Sequence, residues 1–136
     1  MQIEQKQLPD GWNWLKLGDV CDIVCGTTPS SDVPEYWNGD ICWVTPKDLG
    51  KLKSKYIDKS ERMISKLGYD SCGTELVQDG AVVMSTRAPI GHLAIAKSPL
   101  CTNQGCKVFI PKDNLHSEYL YYTLKKSIPD LQALGS

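Results

Sequence analysis

Long apolar runs are missing from this 136-residue sequence. The absence excludes a membrane-spanning helix, which needs about 20 consecutive apolar residues. The first dozen residues are polar and lack the apolar stretch of a secretory signal, so a cytoplasmic protein without membrane contact is expected. A phosphate-cradling glycine loop is also missing. Residues 26–31 are rich in Thr, Pro and Ser but have neither the glycine spacing nor the following lysine. The two histidines, His92 and His116, do not stand at a metal-binding spacing. The carboxylate–lysine set of a nuclease is not there either. Glu4, Gln5 and Lys6 with Pro9 and Asp10 contain similar pieces in the wrong order. The glycine motif and the Asn/Asp-Pro-Pro-aromatic motif of a DNA methyltransferase do not occur. Nothing in the chain calls for a cofactor or a metal, and a binding role becomes the leading class.

Six cysteines are present, and their placement argues against a disulfide scaffold. Cys21, Cys25, Cys42, Cys72, Cys101 and Cys106 mostly sit in apolar segments, as small buried hydrophobes do. The spacings C-x3-C (Cys21, Cys25) and C-x4-C (Cys101, Cys106) fall on expected strands, whereas zinc sites use tight pairs in turns. Buried free thiols are therefore expected. A nucleophilic pair of Cys25 with His92 is conceivable, but no neighbouring residue supports it.

Net charge is only −1, yet its distribution is uneven. Lys47, Lys51, Lys53, Lys55, Lys59, Arg62 and Lys66 cluster within twenty positions, opposed only by Asp48, Asp58 and Glu61. The first forty residues lean acidic. A near-neutral chain of this kind can meet phosphates through one basic segment while its acidic side faces away. A solvated lysine-rich loop is the alternative.

Gly and Pro cut the chain into short elements. Strands are expected at 20–25, at 40–45 before Pro46, at 81–86 after Gly80, at 92–96 after a turn at 87–91, and at 107–110 before Pro111. A short helix is expected at 61–67, capped by Ser60 or Asp58 and ended by Gly68. Leu120, Leu124, Ile128 and Leu131 recur at helical spacing. Asn114 or Ser117 can cap that helix, and Pro129 should break or kink it. The pattern implies a single α+β domain: a mixed, mostly antiparallel sheet of short strands with a C-terminal helix. Residues 1–113 would form the domain body and 114–136 the helix.

Four polar phrases, each attached to an apolar strand, stand out. The first is Gly26, Thr27, Thr28, Pro29 with Tyr36, Trp37, Asn38, Gly39. The second is Trp43, Val44, Thr45, Pro46, Lys47, Asp48, Leu49. The third is Ser85, Thr86, Arg87, Ala88, Pro89, Ile90, Gly91, and the fourth is Thr102, Asn103, Gln104, Gly105, Cys106, Lys107. In this order, with Trp12 or Trp14 before Leu17, Gly18, Asp19, Val20 at the start and Glu118, Tyr119, Leu120, Tyr121, Tyr122 at the end, the chain resembles a target-recognition domain of the specificity subunit of type I restriction-modification enzymes. The likeness covers nearly the whole chain. Cys106 departs from it, standing where an aromatic is common.

The resemblance implies a non-catalytic subunit that reads one half of a split target in double-stranded DNA. It also implies partners: methyltransferase subunits, which use S-adenosylmethionine, and a restriction/translocase subunit. Such subunits carry two recognition domains separated by helical spacers, and this chain matches the first half. The expected DNA-facing residues are Thr27, Thr28, Thr45, Lys47, Asp48, Ser85, Thr86, Arg87, Gln104 and Lys107. Lys47 and Arg87 leave strand ends, where a cation can meet a guanine edge or a phosphate. Thr45, Ser85 and Thr86 can donate to phosphates. Asp48 can accept from a cytosine amino group. Asn103 and Gln104 suit either an adenine edge or a turn that satisfies backbone groups. Thr27, Thr28 and Pro29 either line the DNA or shape a turn, while Trp37 and Trp43 are expected in the core. The alternative to DNA reading is a structural or protein-interaction half-subunit.

Overall fold

Period-two alternation along the central strands decides how the layers stack. The computed structural model describes residues 20–87, 90–112 and 115–135, with the backbone alone for 130–135. Its elements are β1 (Cys21–Cys25), a 3-10 turn (Pro34–Tyr36), β2 (Trp37–Val44), α1 (Pro46–Gly50), β3 (Tyr56–Ile57), β4 (Arg62–Ile64), α2 (Lys66–Ser71), β5 (Val82–Thr86), β6 (Ile90–Ala96), β7 (Cys101–Thr102), β8 (Cys106–Pro111) and α3 (Ser117–Gly135). The strands form a five-stranded sheet, β1-β8-β5-β6-β3, and a three-stranded sheet, β4-β2-β7. β3 runs parallel to β6 and β2 parallel to β7. The remaining pairs are antiparallel. The α+β class and the mostly antiparallel pairing follow the sequence expectation, with the strands divided between two sheets.

On the five-stranded sheet, Val82, Met84, Leu93, Ile95 and Phe109 face α3 and pack on its Leu120, Tyr121 and Leu124. The alternate residues Val83, Ala94, Ala96 and Val108 face the other way, against Cys42, Val44, Leu49 and Leu100. Both faces are covered, so these strands read as apolar runs rather than half-polar alternations. Full burial of each such Val or Leu contributes about 1.5–3 kcal/mol. The outer face of the small sheet is closed by Trp43, Ile64 and Cys101 with Trp37, Ile41 and Tyr69. Trp37 and Trp43 meet edge to face at 5.1 Å, and the Arg62 guanidinium lies 3.9 Å from the Trp37 ring centre.

Two local expectations are corrected. Residues 61–67 do not form one helix. Residues 62–64 are β4, paired with Ile41, Cys42 and Trp43 of β2, and the helix begins only at Lys66, running on through Gly68 to Ser71. Its cap is Ser65, whose Oγ accepts from the Gly68 N–H at 3.1 Å. Pairing with β2 buries Ile64 completely, which local helix propensity cannot match. Nor does Pro129 interrupt the last helix, which continues to Gly135. Pro129 and Lys125 are both exposed, a surface position where water can serve a carbonyl that loses its donor. Ser117 opens α3, but its Oγ donates to the Gly80 carbonyl at 2.6 Å, tying the helix to the start of β5. Asn114 and the opening segment with Trp12, Trp14 and Asp19 lie outside the described residues.

The first turn of α3 is also anchored by charge. Glu118 pairs with Lys55 and accepts from the Tyr56 hydroxyl at 3.0 Å. These donors hold the Glu118 carboxyl below its ordinary range, and Lys55 is the larger cause. Lys55 also reaches the Tyr122 hydroxyl at 3.3 Å.

The β5–β6 ladder slips between Met84 and Thr86, as at a β-bulge. Ser85 repairs the gap: its Oγ accepts from the His92 N–H at 2.9 Å, and the residue is 0% exposed. Ser85→Ala leaves a part-buried N–H without that acceptor and should cost about 1–3 kcal/mol. The thermal midpoint should fall by roughly 3–8 °C. A midpoint within a degree of the wild type would show that this bond carries no net stability.

Candidate nucleic-acid interface

The end of β7 and the loop that follows it, residues 102–105, are where the four phrases meet. The loop's own turn is made by Asn103, whose Oδ1 accepts from the Gly105 N–H at 2.9 Å. That is the turn-forming role left open for Asn103. The first phrase reaches the loop through Gly26, where a Cβ would collide with the Thr102 carbonyl and hydroxyl. It reaches it again through the Thr28 hydroxyl, which bonds the Gln104 side chain. The second phrase arrives through Val44, whose carbonyl accepts from the Asn103 N–H at 3.0 Å. Pro46 closes on Gly105 so tightly that a Cβ there would stand 2.8 Å from its ring. The third phrase arrives through Thr86, whose N–H donates to the Gly105 carbonyl at 2.8 Å. Thr74 supports the loop from behind, donating to the Thr102 carbonyl at 2.9 Å.

The ten expected contact residues separate in this geometry. Thr28, Lys47, Arg87, Gln104 and Lys107 are exposed, and Thr45 and Thr86 are half-buried. Lys107 alternates away from Cys106 and pairs with Met84 and Cys25. It therefore leaves β8 on the α3 side of the sheet, apart from the cluster around residues 102–105. Thr27 turns inward: its Oγ1 is enclosed without a hydrogen-bond partner among the described residues, and its carbonyl accepts from the Trp43 indole at 3.1 Å. The second half of the first phrase lies elsewhere. The Tyr36 carbonyl accepts from the Ser65 N–H at 2.9 Å, at the α2 end of the small sheet.

Two of the ten have internal work instead of solvent-facing atoms. Ser85 is the bulge acceptor described above, and its burial withdraws it from any phosphate. Asp48 is 9% exposed. Its Oδ2 accepts from the Thr45 N–H at 2.9 Å and the Thr45 hydroxyl at 3.2 Å, one limb of a capping box on α1. Its Oδ1 accepts from the Glu61 N–H at 2.9 Å. A carboxylate engaged on both oxygens is not presented to a cytosine amino group, so the base-reading role expected for Asp48 is replaced by a positioning one. Gly26 and Thr102, phrase members not expected to face DNA, form the buried frame of the loop together with Thr74. Thr74 lies outside all four phrases and carried no signal in the sequence.

Burial pushes Cys21 and Cys101 up to about 11 and Cys106 up to about 12, so all three stay protonated near neutral pH. Cys25 is exposed, but β1 and β6 are separated by β8 and β5, which keeps Cys25 away from His92. Among the described residues no three His, Cys, Asp or Glu side chains gather as a metal site would require. No described helix is long and apolar enough to cross a membrane.

A sequence model of the family described as "Type I restriction modification DNA specificity domain" matches residues 9–136. The MjaIX specificity subunit of Methanocaldococcus jannaschii, a type I restriction enzyme subunit, is 44% identical over 119 residues, covering 88% of this chain and 28% of that protein. The EcoR124I/EcoR124II specificity subunit of Escherichia coli is 31% identical over 116 residues, covering 82% and 28%. Among solved structures, the HsdS subunit from Thermoanaerobacter tengcongensis superposes with a TM-score of 0.69 at 28% identity, over 93% of this chain and 30% of that one. A structure described as showing complex assembly and conformational transition of the type I R-M system gives the same TM-score, 0.69, at 29% identity. This chain belongs to the type I restriction-modification DNA specificity domain family. It spans 28% of the length of the two curated relatives.

Two measurements check this site's construction. Asp48→Ala removes acceptors for three donors and should cost about 2–4 kcal/mol in chemical denaturation. Asp48→Asn, which keeps one oxygen acceptor, should cost less, and equal losses would contradict the capping geometry. Under native conditions a thiol-alkylating reagent should label Cys25 first and Cys72 next, sparing Cys21, Cys42, Cys101 and Cys106 until unfolding. Native labelling of Cys106 as fast as Cys25 would contradict its burial.

Proposed function

We propose that this chain reads one half of a bipartite sequence in double-stranded DNA, as part of the specificity subunit of a type I restriction-modification methyltransferase/endonuclease complex. The observation that carries the reading is the meeting of all four polar phrases at residues 102–105, in a chain whose relatives are specificity subunits. In this reading the protein has no catalytic centre or cofactor of its own. Methyltransferase subunits supply the chemistry on S-adenosylmethionine, a restriction/translocase subunit cuts, and the assembly works in the cytoplasm. Residues 1–113 form the reading head, and 114–136 lead toward a spacer or partner contact.

The exposed members of the cluster divide by chemistry. Lys47 and Arg87 offer cations at strand ends for guanine edges or phosphates. Gln104 offers an amide to an adenine edge, oriented by its bond to Thr28. The hydroxyls of Thr28, Thr45 and Thr86 already donate to Gln104, Asp48 and the Gly105 carbonyl, so in this reading they hold the surface that presents the cations and the amide to the duplex. Lys107 adds a phosphate contact at the margin. A second reading, a protein-interaction half-subunit, draws on Tyr119 and Tyr122, each more than half exposed on α3.

Methylation mapping in cells carrying the intact system tests the proposal. The wild type should mark one bipartite sequence, and Arg87→Glu or Lys47→Glu should abolish or relax its first half alone. At a bidentate contact the loss for the cognate base pair is about 1–3 kcal/mol, or roughly 5- to 150-fold. If both variants keep the same methylated sequence but fail to assemble with the methyltransferase subunits, the interaction reading replaces this one.

A further inference from the structure

Glu61 occupies a position that fold stability does not explain. Its carboxylate lies 3.4 Å from the ammonium of Lys47 and 3.3 Å from that of Lys51. All three side chains are more than half exposed, and such pairs contribute little to stability. The backbone beneath it is nevertheless held firmly. The Glu61 N–H donates to Asp48 Oδ1 at 2.9 Å. The preceding Ser60 accepts from the Trp43 N–H at 3.0 Å, and the following Arg62 pairs with Trp43 across β2 and β4. Asp48 also caps α1, the helix that carries Lys47. One buried carboxylate thus fixes both the cation and its counter-charge. Lys51 and then Lys47 hold the Glu61 carboxyl below its ordinary range, so it is ionised at neutral pH.

We propose that Glu61 is a built-in counter-charge that sets the strength and salt dependence of duplex binding by competing with DNA phosphates for Lys47 and Lys51. This rests on the reading that the α1 face meets DNA. A phosphate that approaches either lysine must displace Glu61 and then stand near a like charge. With Glu61 present the three-residue cluster carries a net charge of about +1; without it, about +2. Duplex affinity is dominated by the release of counterions from neutralised phosphates, and the salt slope grows by about 0.9 per added contact. Removing Glu61 should therefore tighten binding and steepen the slope together.

The test is anisotropy of a labelled random-sequence duplex against the full 136-residue chain across a salt series. Glu61→Gln should bind about fivefold tighter at low salt, the factor expected for one close charge in water, with a slope steeper by about one. Glu61→Asp, which keeps the charge, should behave like the wild type. On a Lys47→Ala/Lys51→Ala background, Glu61→Gln should change affinity far less. Unchanged or weaker binding by Glu61→Gln, while Lys47→Ala/Lys51→Ala weakens binding, overturns the counter-charge and leaves the DNA-facing reading standing. If the double lysine variant also binds like the wild type, this face does not meet DNA and both ideas fall. A melting midpoint for Glu61→Gln close to that of the wild type separates the effect from any change in folding.

Discussion

Covering the five-stranded sheet on both faces constrains everything else in this protein. With α3 on one side and the small sheet on the other, the central strands β5, β6 and β8 have little room for polar side chains along their lengths. Polar residues collect at strand ends. Ser85 shows the rule by exception: it is buried in the ladder only because a slipped register leaves a backbone donor that needs it. The loop after β7 lies where ends from both sheets approach. Its backbone groups are taken up by Val44, Thr74 and Thr86, so it is framed by the fold rather than shaped by its own sequence alone.

That frame gives the exposed side chains their precision. Buried polar groups are satisfied by protein partners, and here those partners come from three distant stretches of chain. Asp48 does the same at the neighbouring helix, joining the cap of α1 to the turn at Glu61. Cations presented from such anchored backbone lose less freedom on meeting a ligand than cations on a free loop. The anchored backbone of α1 and of the turn at Glu61 thus holds Lys47 and Lys51 beside their counter-charge in one arrangement.

The class and most strand positions were readable from local pattern. Runs such as Val82 to Ser85 and Leu93 to Ala96, bounded by glycine and proline, leave few alternatives. The helix at 117 was legible from Leu120 and Leu124. Residues 61–67 misled because Met63 and Ile64 have helical neighbours in sequence but strand partners in space. Asp48 and Ser85 misled for a related reason. Both belong to polar phrases and carry the right chemistry for DNA, and neither composition nor spacing reports that a side chain is turned inward onto backbone N–H groups.

From the sequence by itself came the α+β class, the family likeness, the lack of a recognisable catalytic motif and the four phrases that matter. These depend on residue type and on short-range periodicity, which a linear string records fully. Tertiary structure alone decided which phrase members face outward, that Asn103 builds a turn while Gln104 remains exposed, and that Glu61 stands between two lysines. Those outcomes depend on which distant backbone groups need a partner, and only chain closure brings the groups and their partners together.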